Sequence, residues 1–447
     1  MSRSGRVRRL AIGRLLSTGE PVEVGALARD RTGTWFEYAP PWLASGGPSL
    51  SPFSLELRPG PQRAEEDLPS RTDPVHGVFA DALPDGWGLR VMDRAFRRAG
   101  IEPSTAGALD RLAFLGDRTV GAFAFDGTAA DLPREPDGDG TVDLAALGTE
   151  AARLFDGDDV ERVHDALVRS GGSGGARPKA LLWEGPDGTF SASPPGPDAR
   201  DAPDREAGRD PAAAPRLVKF TSANLPLGHE EGRMEAAWLA MAATAGIDAQ
   251  RGRLVERETP GGTRAWLVLE RFDRTGARGR LHLHSASGLL GADHRLPSLD
   301  LADLVRASER LCESPAAARE TLRRGLFNLL SSNQDDHARN WAWLMDDAGG
   351  WRPSPAYDLT FSPSPSGEHM TAFGGHGAAP PAKAVRELAA LASVDRSTLA
   401  EMIDRIDGAL ARWPREASAV GLSAGPTRDV GRRLAAVRRE NASLVAR

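Results

Sequence analysis

Hydrophobic and polar positions follow one period in the first part of the chain and another after residue 298. In the first part, apolar residues alternate with polar ones or form short runs, as in strands. Residues 22–28 alternate, a polar turn follows at 29–34, and an aromatic run occupies 35–38, which predicts a β-hairpin. After residue 298, leucines recur at helix spacing. The chain is therefore predicted to be β-rich first and helical last.

Local patterns add individual elements to this outline. Thr398 and Glu401 form the Thr-x-x-Glu pattern of a capping box, which predicts that a helix starts there. Residues 184–215 are rich in Gly, Pro, Asp and Ala, and we interpret them as a mobile insertion between two strands. The other predicted elements are a helix over 84–100 ending at Gly100, a strand within 112–125, strands at 180–183 and 216–221, a helix over 232–245, a strand over 265–272, a helix opening at Ser314-Pro315 and a hairpin over 341–351.

Composition and charge restrict the class of protein. A chain of 447 residues with 40% hydrophobic and 26% charged residues is typical of a globular protein of two or three domains. The formal net charge of −6 argues against a broad nucleic-acid-binding face. A single cysteine, Cys312, excludes an intrachain disulfide and a cysteine-based zinc site. No apolar run is long enough for a membrane span or a secretory signal, so we expect a cytoplasmic protein.

Lysine is strongly depleted relative to arginine. Of the 56 basic residues only Lys179, Lys219 and Lys383 are lysine, which indicates a bias toward arginine at the surface. A lysine that persists against this bias can mark a site that needs a compact point charge, because the planar arginine fork does not replace it there. Retention by chance remains an equal alternative for any one of the three.

The densest polar cluster is the segment 333–340, Asn-Gln-Asp-Asp-His-Ala-Arg-Asn, between a predicted helix and a predicted hairpin. Asp335 and Asn340 have the Asp-x₄-Asn spacing of a kinase catalytic loop, in which the Asp takes the hydroxyl proton and the Asn holds magnesium. Asp358 follows the hairpin, where a second carboxylate would face the metal. The alternative is that Asp335, Asp336 and His337 cap the hairpin or bind a structural cation.

A kinase also needs a phosphate-binding loop and a lysine upstream of its catalytic loop. The run 170–179, Ser-Gly-Gly-Ser-Gly-Gly-Ala-Arg-Pro-Lys, supplies a glycine-rich turn that leads into a strand, although it is also typical of a flexible linker. Lys219 lies in an apolar strand, where it needs a partner such as a phosphate or Glu235 of the next helix. A lysine that extends out of an edge strand is the alternative.

Three further groups are weaker candidates. The stretch 270–274, Glu-Arg-Phe-Asp-Arg, ends a strand where a nucleotide-binding hinge would be expected. His282 and His284 could be two ligands of a metal ion, but no third ligand is nearby in the sequence. Asp85 belongs to a turn-and-cap sequence, for which a structural role is the default.

Taken together, these stretches resemble the HipA family, the kinase toxins of bacterial type II toxin–antitoxin modules. They occur in the family's order over about residues 20–430. The resemblance rests on the stretches 83–88 (Leu-Pro-Asp-Gly-Trp-Gly), 174–179, 218–220 (Val-Lys-Phe), 270–274, 333–340 and 355–359 (Pro-Ala-Tyr-Asp-Leu).

The resemblance implies an α+β, protein-kinase-like fold in three parts. These are a β-rich N-terminal subdomain at 1–130, a nucleotide-binding N-lobe at 145–300 that contains the insertion, and an all-helical C-terminal lobe at 301–447 that carries the catalytic loop.

The resemblance also implies ATP- and magnesium-dependent serine/threonine protein kinase activity. By motif, Asp335 would be the catalytic base, Asn340 and Asp358 the magnesium ligands, and Lys219 the phosphate-binding lysine. Glu270 and Phe272 would form the adenine hinge through their backbones. The other expected nucleotide-binding positions are Gly174, Gly175, Ala176, Lys179 and His337.

The family's partners follow by the same resemblance. They are a target protein such as an aminoacyl-tRNA synthetase and a HipB-like helix-turn-helix antitoxin, which would supply the contact with DNA. Family members can phosphorylate a serine in their own glycine loop. Here Ser170 and Ser173 flank the expected position and Gly172 occupies it. A small-molecule kinase and a catalytically silent antitoxin-binding protein remain alternatives.

Overall fold

The computed structural model describes residues 7–65, 74–127, 140–158, 164–169, 174–193, 213–276 and 278–445. The chain divides into two compact units. The first consists of Met1–His229, Val255–His284 and Met345–Gly349, and the second of Glu230–Leu254, Ser285–Leu344 and Gly350–Arg447. The three-part domain limits expected from the sequence stay a prediction.

The first unit contains most of the strands. Its strands are β1 (Arg9–Leu15), β2 (Pro21–Arg29), β3 (Thr34–Tyr38), β4 (Gln62–Arg63), β5 (Phe123–Asp126), β6 (Thr141–Val142), β7 (Lys179–Glu184), β8 (Phe190–Ser191), β9 (Ala214–Lys219), β10 (Gly252–Thr259), β11 (Gly262–Glu270), β12 (Arg274–Thr275), β13 (Gly279–Arg280) and β14 (His282–Ser285). Its helices are α1 (Pro40–Ala44), α2 (Gly77–Ala80), α3 (Gly86–Arg98), α4 (Ala108–Leu115), α5 (Leu144–Asp156) and α6 (Asp165–Arg169).

A five-stranded antiparallel sheet forms the N-terminal part of this unit, in the order β4-β3-β2-β1-β5. Its strands alternate buried and accessible residues because one face packs on a core. Leu10 and Ile12 of β1 are fully buried there with Phe36 and Phe79. The predicted hairpin is confirmed, since β2 and β3 pair from Gly25–Tyr38 to Arg29–Thr34.

A six-stranded sheet in the order β10-β11-β9-β7-β8-β6 positions the predicted phosphate-binding residues. β9 lies between β7 and β11 and pairs antiparallel with both. A second core joins this sheet to α3 and α5, with Trp87, Leu147 and Trp266 at its centre. Because both neighbours of β9 bond to it, the sheet holds the end of β9 in a fixed place.

The second unit is mostly helical, as the leucine spacing predicted for the later part of the chain. The expectation of an all-helical lobe at 301–447 is wrong, because that range also contains three strands. Its helices are α7 (Glu231–Thr244), α8 (Ala286–Leu290), α9 (Leu301–Cys312), α10 (Pro315–Ser331), α11 (Ala382–Leu391), α12 (Arg396–Leu410), α13 (Trp413–Ala419), α14 (Ala424–Glu440) and α15 (Ala442–Val445). Its strands are β15 (Leu299–Asp300), β16 (Ala342–Met345), β17 (Trp351–Pro353) and β18 (Thr371–Ala372). Among the described residues, no helix is long and apolar enough to cross a bilayer.

Helix α10 leads directly into the predicted catalytic loop. Pro315 occupies the first helical turn, where its missing N–H costs nothing. The helix ends at Ser331, and its C-cap residue, Ser332, adopts a left-handed conformation with φ +57°. Leu322, Leu326 and Phe327 are fully buried, so the last turns of α10 form a rigid base for the loop.

Three other sequence predictions need correction or completion. Residues 108–115 form helix α4, so the strand predicted within 112–125 is confined to β5, after the turn at Gly116. Helix α12 begins at Arg396 with Asp395 as its N-cap, so the capping box predicted at Thr398 and Glu401 is wrong. The predicted insertion carries the short strand β8 at its start, and its residues 194–212 lie outside the described part of the chain.

Candidate functional site

Two buried lysines stand opposite each other at one end of the β7–β9 pair. Lys179 is the first residue of β7, Lys219 is the last of β9, and the two are direct partners in the antiparallel register. Directly opposed residues project to the same face of a sheet, about 5 Å apart at Cβ. Only 5% of Lys179 and 6% of Lys219 is exposed. Both side chains therefore start from the same face at the end of the β7–β9 pair, inside the first unit.

The described part of the glycine-rich run, residues 174–178, comes just before β7, and we call it the glycine loop. It is held by the turn that opens α3. Gly175 N–H donates to Asp85 Oδ1. Trp87 N–H donates to Gly175 O (2.9 Å), and Trp87 Nε1 donates to Lys179 O (2.8 Å). The Lys179 ammonium donates to Gly174 O (2.5 Å). Gly174, Gly175 and Lys179 are thus brought together by residues outside the loop.

The predicted hinge lies at the end of β11. Glu270 is the last residue of β11 and faces Arg216 of β9 in the register, with Oε1 3.8 Å from Arg216 Nη1. Phe272 follows in a turn and is half-buried. The structure places both where their backbones end the strand, and their role at an adenine stays a prediction.

The rest of the stretch 270–274 forms a buried ion network. The Asp273 carboxylate accepts from Arg271 Nη2 (2.7 Å), Arg274 Nη1 (2.6 Å) and the Gly121 N–H (2.7 Å). Burial alone would raise the pKa of Asp273, but the two arginines lower it well below its usual range. This network joins the end of β11 to the segment 119–121 and is structural.

The two histidines of the His-x-His pair are buried structural groups. His282 Nε2 lies 2.9 Å from Leu50 O, and burial holds the pKa of His282 well below its usual value. His284 is held between Ser51 Oγ (2.9 Å) and Asp81 Oδ2 (2.7 Å). Within the described part of the chain, no three His, Cys, Asp or Glu side chains group as a metal site.

In the second unit, the polar segment 333–340 forms a loop fixed at several backbone positions. Asp335 is exposed, and its N–H donates to Ser362 Oγ (3.2 Å). Asn340 Nδ2 donates to Asp335 O (2.8 Å), which links the two residues of the Asp-x₄-Asn pattern directly. Asn340 N–H donates to His337 O (2.8 Å), closing a single turn of 3₁₀ helix. The loop therefore presents Asp335 and Asn340 from one closed turn.

Asp358 is brought to this loop by its neighbour in the chain. The Tyr357 hydroxyl donates to the backbone carbonyl of Arg339, the residue before Asn340. This hydrogen bond ties the segment that carries Asp358 to the loop. Asp358 has φ +55°, a left-handed conformation that aspartate adopts more readily than most residues. The strands β16 and β17 connect the two segments as a hairpin, as predicted.

Sequence reasoning missed the residue that anchors the loop. Asp336 is buried, and its Oδ1 accepts from Thr371 N–H (3.1 Å) while its Oδ2 lies 3.0 Å from His369 Nδ1. Its backbone carbonyl accepts from Thr371 Oγ1 (2.6 Å) and Trp341 Nε1 (3.1 Å). The partners lie up to 35 residues away, and the only signal in the sequence is a second aspartate beside Asp335.

The structure thus forms two groups of predicted residues, one in each unit. Gly174, Gly175, Ala176, Lys179, Lys219, Glu270 and Phe272 lie in the first unit, and Asp335, His337, Asn340 and Asp358 lie in the second. Glu235, the predicted partner of Lys219, belongs to the second unit on α7, so that pairing stays a prediction. Ser170 and Ser173 lie outside the described residues.

The comparisons with known proteins define the class of fold first. The chain is similar to the solved structure of the "Shewanella oneidensis MR-1 Toxin Antitoxin System HipA, HipB and its operator DNA complex", with a TM-score of 0.64 and 20% identity. The match covers 98% of this chain and 96% of that chain. The fold is therefore the α+β, kinase-like HipA fold that the sequence predicted.

Family models then identify the family. The HipA-like C-terminal domain matches residues 171–413, more than half of the chain, and the HipA N-terminal domain matches residues 19–126. The chain belongs to the HipA family, as the six stretches predicted.

A curated relative gives a shorter match. The protein named "Putative kinase Y4dM" of Sinorhizobium fredii is 29% identical over 135 residues, which are 28% of this chain. The chain matches only about a third (32%) of the length of that relative.

Proposed function

We propose that this protein is an ATP- and magnesium-dependent serine/threonine protein kinase. The observation that carries the proposal is the pair Lys179 and Lys219, buried opposite each other beside a glycine loop. A lysine ammonium is a compact cation that binds phosphate oxygens, and two lysine side chains that leave the same face at the end of one strand pair fit neighbouring phosphates of one nucleotide. The name of the matched Sinorhizobium protein agrees with this class of activity.

The residues of the second unit fit a magnesium ion. Magnesium prefers oxygen ligands and is usually held by one or two protein groups together with waters and substrate phosphates. Asp358 offers a carboxylate, and the Asn340 amide is oriented by its Nδ2 bond to Asp335 O, which leaves Oδ1 as its acceptor atom. When bound, the ion would neutralise charge on the phosphate oxygens. Asn340 and Asp358 would be its protein ligands.

Asp335 would act as the catalytic base. Its side chain is exposed, while its backbone N–H and C=O are both fixed, so the carboxylate stands on a rigid turn open to a protein substrate. It would orient the acceptor hydroxyl and take its proton as the oxygen attacks phosphorus. Lys179 and Lys219 would hold the transferred and leaving phosphates.

The biological role would be that of a toxin. Family membership supports growth arrest through phosphorylation of a translation component such as an aminoacyl-tRNA synthetase. The matched Shewanella structure contains HipB and operator DNA. We extend this to a HipB-like antitoxin for the present chain, whose net charge of −6 leaves DNA contact to the partner.

The test is transfer of label from γ-labelled ATP with magnesium, using a cell lysate as acceptor. The wild type is compared with Asp335→Asn and with Asp429→Asn. Asp429 is an exposed aspartate of α14 that forms a surface ion pair with Arg432. We expect the wild type and D429N to label a lysate protein, and D335N to lose at least about 100-fold in rate.

Nucleotide binding measured by calorimetry separates the outcomes. We expect D335N to bind MgATP with nearly wild-type affinity, because the base is not part of the phosphate-binding loop. Transfer by D335N at the wild-type rate would reject Asp335 as the base. ATP turnover without a labelled protein would favour a small-molecule acceptor, and absence of ATP binding would reject a kinase altogether.

A further inference from the structure

The opening turn of helix α3 uses its capping groups in an unusual way. Asp85 occupies the N-cap position, but its side chain makes no capping bond to its own helix. An N-cap aspartate ordinarily accepts an N–H of the first helical turn. Here the carboxylate instead accepts the N–H of Gly175, 90 residues further along the chain.

The same turn also binds the carbonyl of Gly175. Trp87 N–H, one of the free donors at the start of α3, donates to Gly175 O (2.9 Å). Both polar groups of the Gly175 backbone are therefore bound by two residues of one turn. The Trp87 indole adds a third bond, to Lys179 O (2.8 Å), from a side chain that is fully buried in the core.

Gly86 permits this close approach. It has φ +40°, and a Cβ at this position would lie 2.8 Å from both Gly175 O and Ala176 Cα. Real Cβ atoms do not come that close to backbone atoms, so a larger residue would push the glycine loop away. The turn and the loop are complementary in shape as well as in hydrogen bonds.

We propose that residues 85–87, which we term the clasp, are positioning residues that hold the glycine loop in its nucleotide-binding shape. The clasp fixes Gly175 near the start of the loop and Lys179 directly after its end. The lysine side chain then bonds Gly174 O (2.5 Å) within the same loop. A glycine-rich loop has many accessible conformations, and fixing it before the nucleotide arrives removes part of the entropy cost of binding.

The alternative is that the Asp85 carboxylate weakens nucleotide binding. It would do so by competing with a phosphate for the Gly175 N–H, which it already occupies. The two actions predict opposite changes in affinity. Loss of a clasp weakens nucleotide binding, whereas loss of a competing anion strengthens it. We favour the clasp because two of its three bonds come from Trp87, which carries no negative charge and cannot imitate a phosphate.

The experiment compares Asp85→Ala, Asp85→Asn and Asp143→Ala in the full-length protein. The Asp85→Asn substitution would keep an acceptor oxygen for Gly175 N–H and remove only the charge. Asp143 is the matched control, because it is the N-cap of α5 and accepts from Ala145 and Ala146 within its own helix. Dissociation constants for MgATP are measured by calorimetry, and hydrogen exchange of 174–179 is measured without nucleotide.

We expect D85A to bind MgATP on the order of tenfold more weakly and to exchange the amides of 174–179 faster. D85N should stay within about threefold of the wild type, because its hydrogen bond is retained. D143A should change neither quantity, although its melting temperature falls. Tighter binding by both Asp85 variants would replace the clasp with the competing-anion action.

This inference rests on the proposed function, and the two fail in different ways. If the wild type binds no nucleotide, the kinase proposal fails, while the exchange of 174–179 still tests the clasp. If the wild type binds MgATP and D85A matches it in both affinity and exchange, the clasp is rejected and the kinase proposal stands.

Discussion

At the scale of single residues, the positions of the three lysines are the most informative feature of the chain. Lys383 lies on the surface of α11, 3.8 Å from Glu387, and its side chain is 81% exposed. Lys179 and Lys219 are buried as register partners. A chain that uses arginine nearly everywhere keeps two lysines where a planar guanidinium would have to be packed beside another cation.

Replacing these lysines one at a time tests their role. We expect Lys219→Ala and Lys179→Ala each to weaken MgATP binding by at least about tenfold, because each removes a positive charge from the proposed phosphate site. Lys383→Ala is the matched control and should bind as the wild type does. Calorimetric titration measures all three, and equal affinities would make the buried pair a structural feature.

At the scale of secondary structure, the start of α12 offers a test of how its cap works. The Asp395 carboxylate accepts from Thr398 N–H (2.8 Å), and bonds from Thr398 lower its pKa below the ordinary 3.8. We expect Asp395→Ala to lower the melting temperature and Glu401→Ala, the residue of the rejected capping box, to leave it unchanged.

The pH dependence of this cap follows from the sign of the shift. Because the folded pKa lies below the unfolded value, the stabilisation is fully present above the unfolded value. It is lost as the pH falls from 3.8 through the lower folded pKa. Melting curves of the wild type and Asp395→Ala should therefore differ at about pH 7 and converge in acid. A constant difference across this range would mean that Asp395 acts through packing instead.

Secondary structure also shows which elements a sequence pattern can predict. Alternation predicted β2 and β3, and leucine spacing predicted α9 and α10, because burial on one face leaves a regular pattern. Helix α4 was missed at 112–115, since an apolar run of a few residues has no period of its own. The register that opposes Lys179 to Lys219 depends on how two strands pair across a long insertion, and no local pattern encodes it.

In the candidate site too, local patterns were predictable from the sequence and long-range contacts were not. Residues that share one short stretch, such as Asp335 and Asn340, were found from their spacing, and the structure joins them by a hydrogen bond. Residues that act through distant partners were not found. Asp85 and Asp336 looked like ordinary capping residues, yet their carboxylates bond to backbone groups 90 and 35 positions away.

At the scale of the whole molecule, the five-stranded N-terminal sheet and the six-stranded sheet belong to one compact unit. The buried network around Asp273 is one reason. Arg271 and Arg274 bond Asp273 and also donate to Thr119 O, at 3.2 and 2.7 Å. Charges buried in this way are costly unless each is paired, so the network stabilises the unit only when all of its members are present.

Breaking this network should destabilise the protein far more than breaking a surface ion pair. Asp273→Asn leaves two buried arginines without their counter-charge, and we expect it to lower the free energy of unfolding by about 3 kcal/mol or more. Asp429→Ala is the control, since Asp429 pairs with Arg432 (2.6 Å) on α14 and both side chains are exposed. That variant should lose no more than about 1 kcal/mol.

Urea unfolding followed by tryptophan fluorescence measures both variants. Because the pKa of Asp273 is held well below its usual range, its stabilisation should persist as the pH falls through the range where exposed carboxyls are protonated. The gap between wild type and D273N should thus remain at about pH 4. Equal losses for D273N and D429A would show that the network adds no more than a surface pair, and that the hydrophobic cores alone hold the unit together.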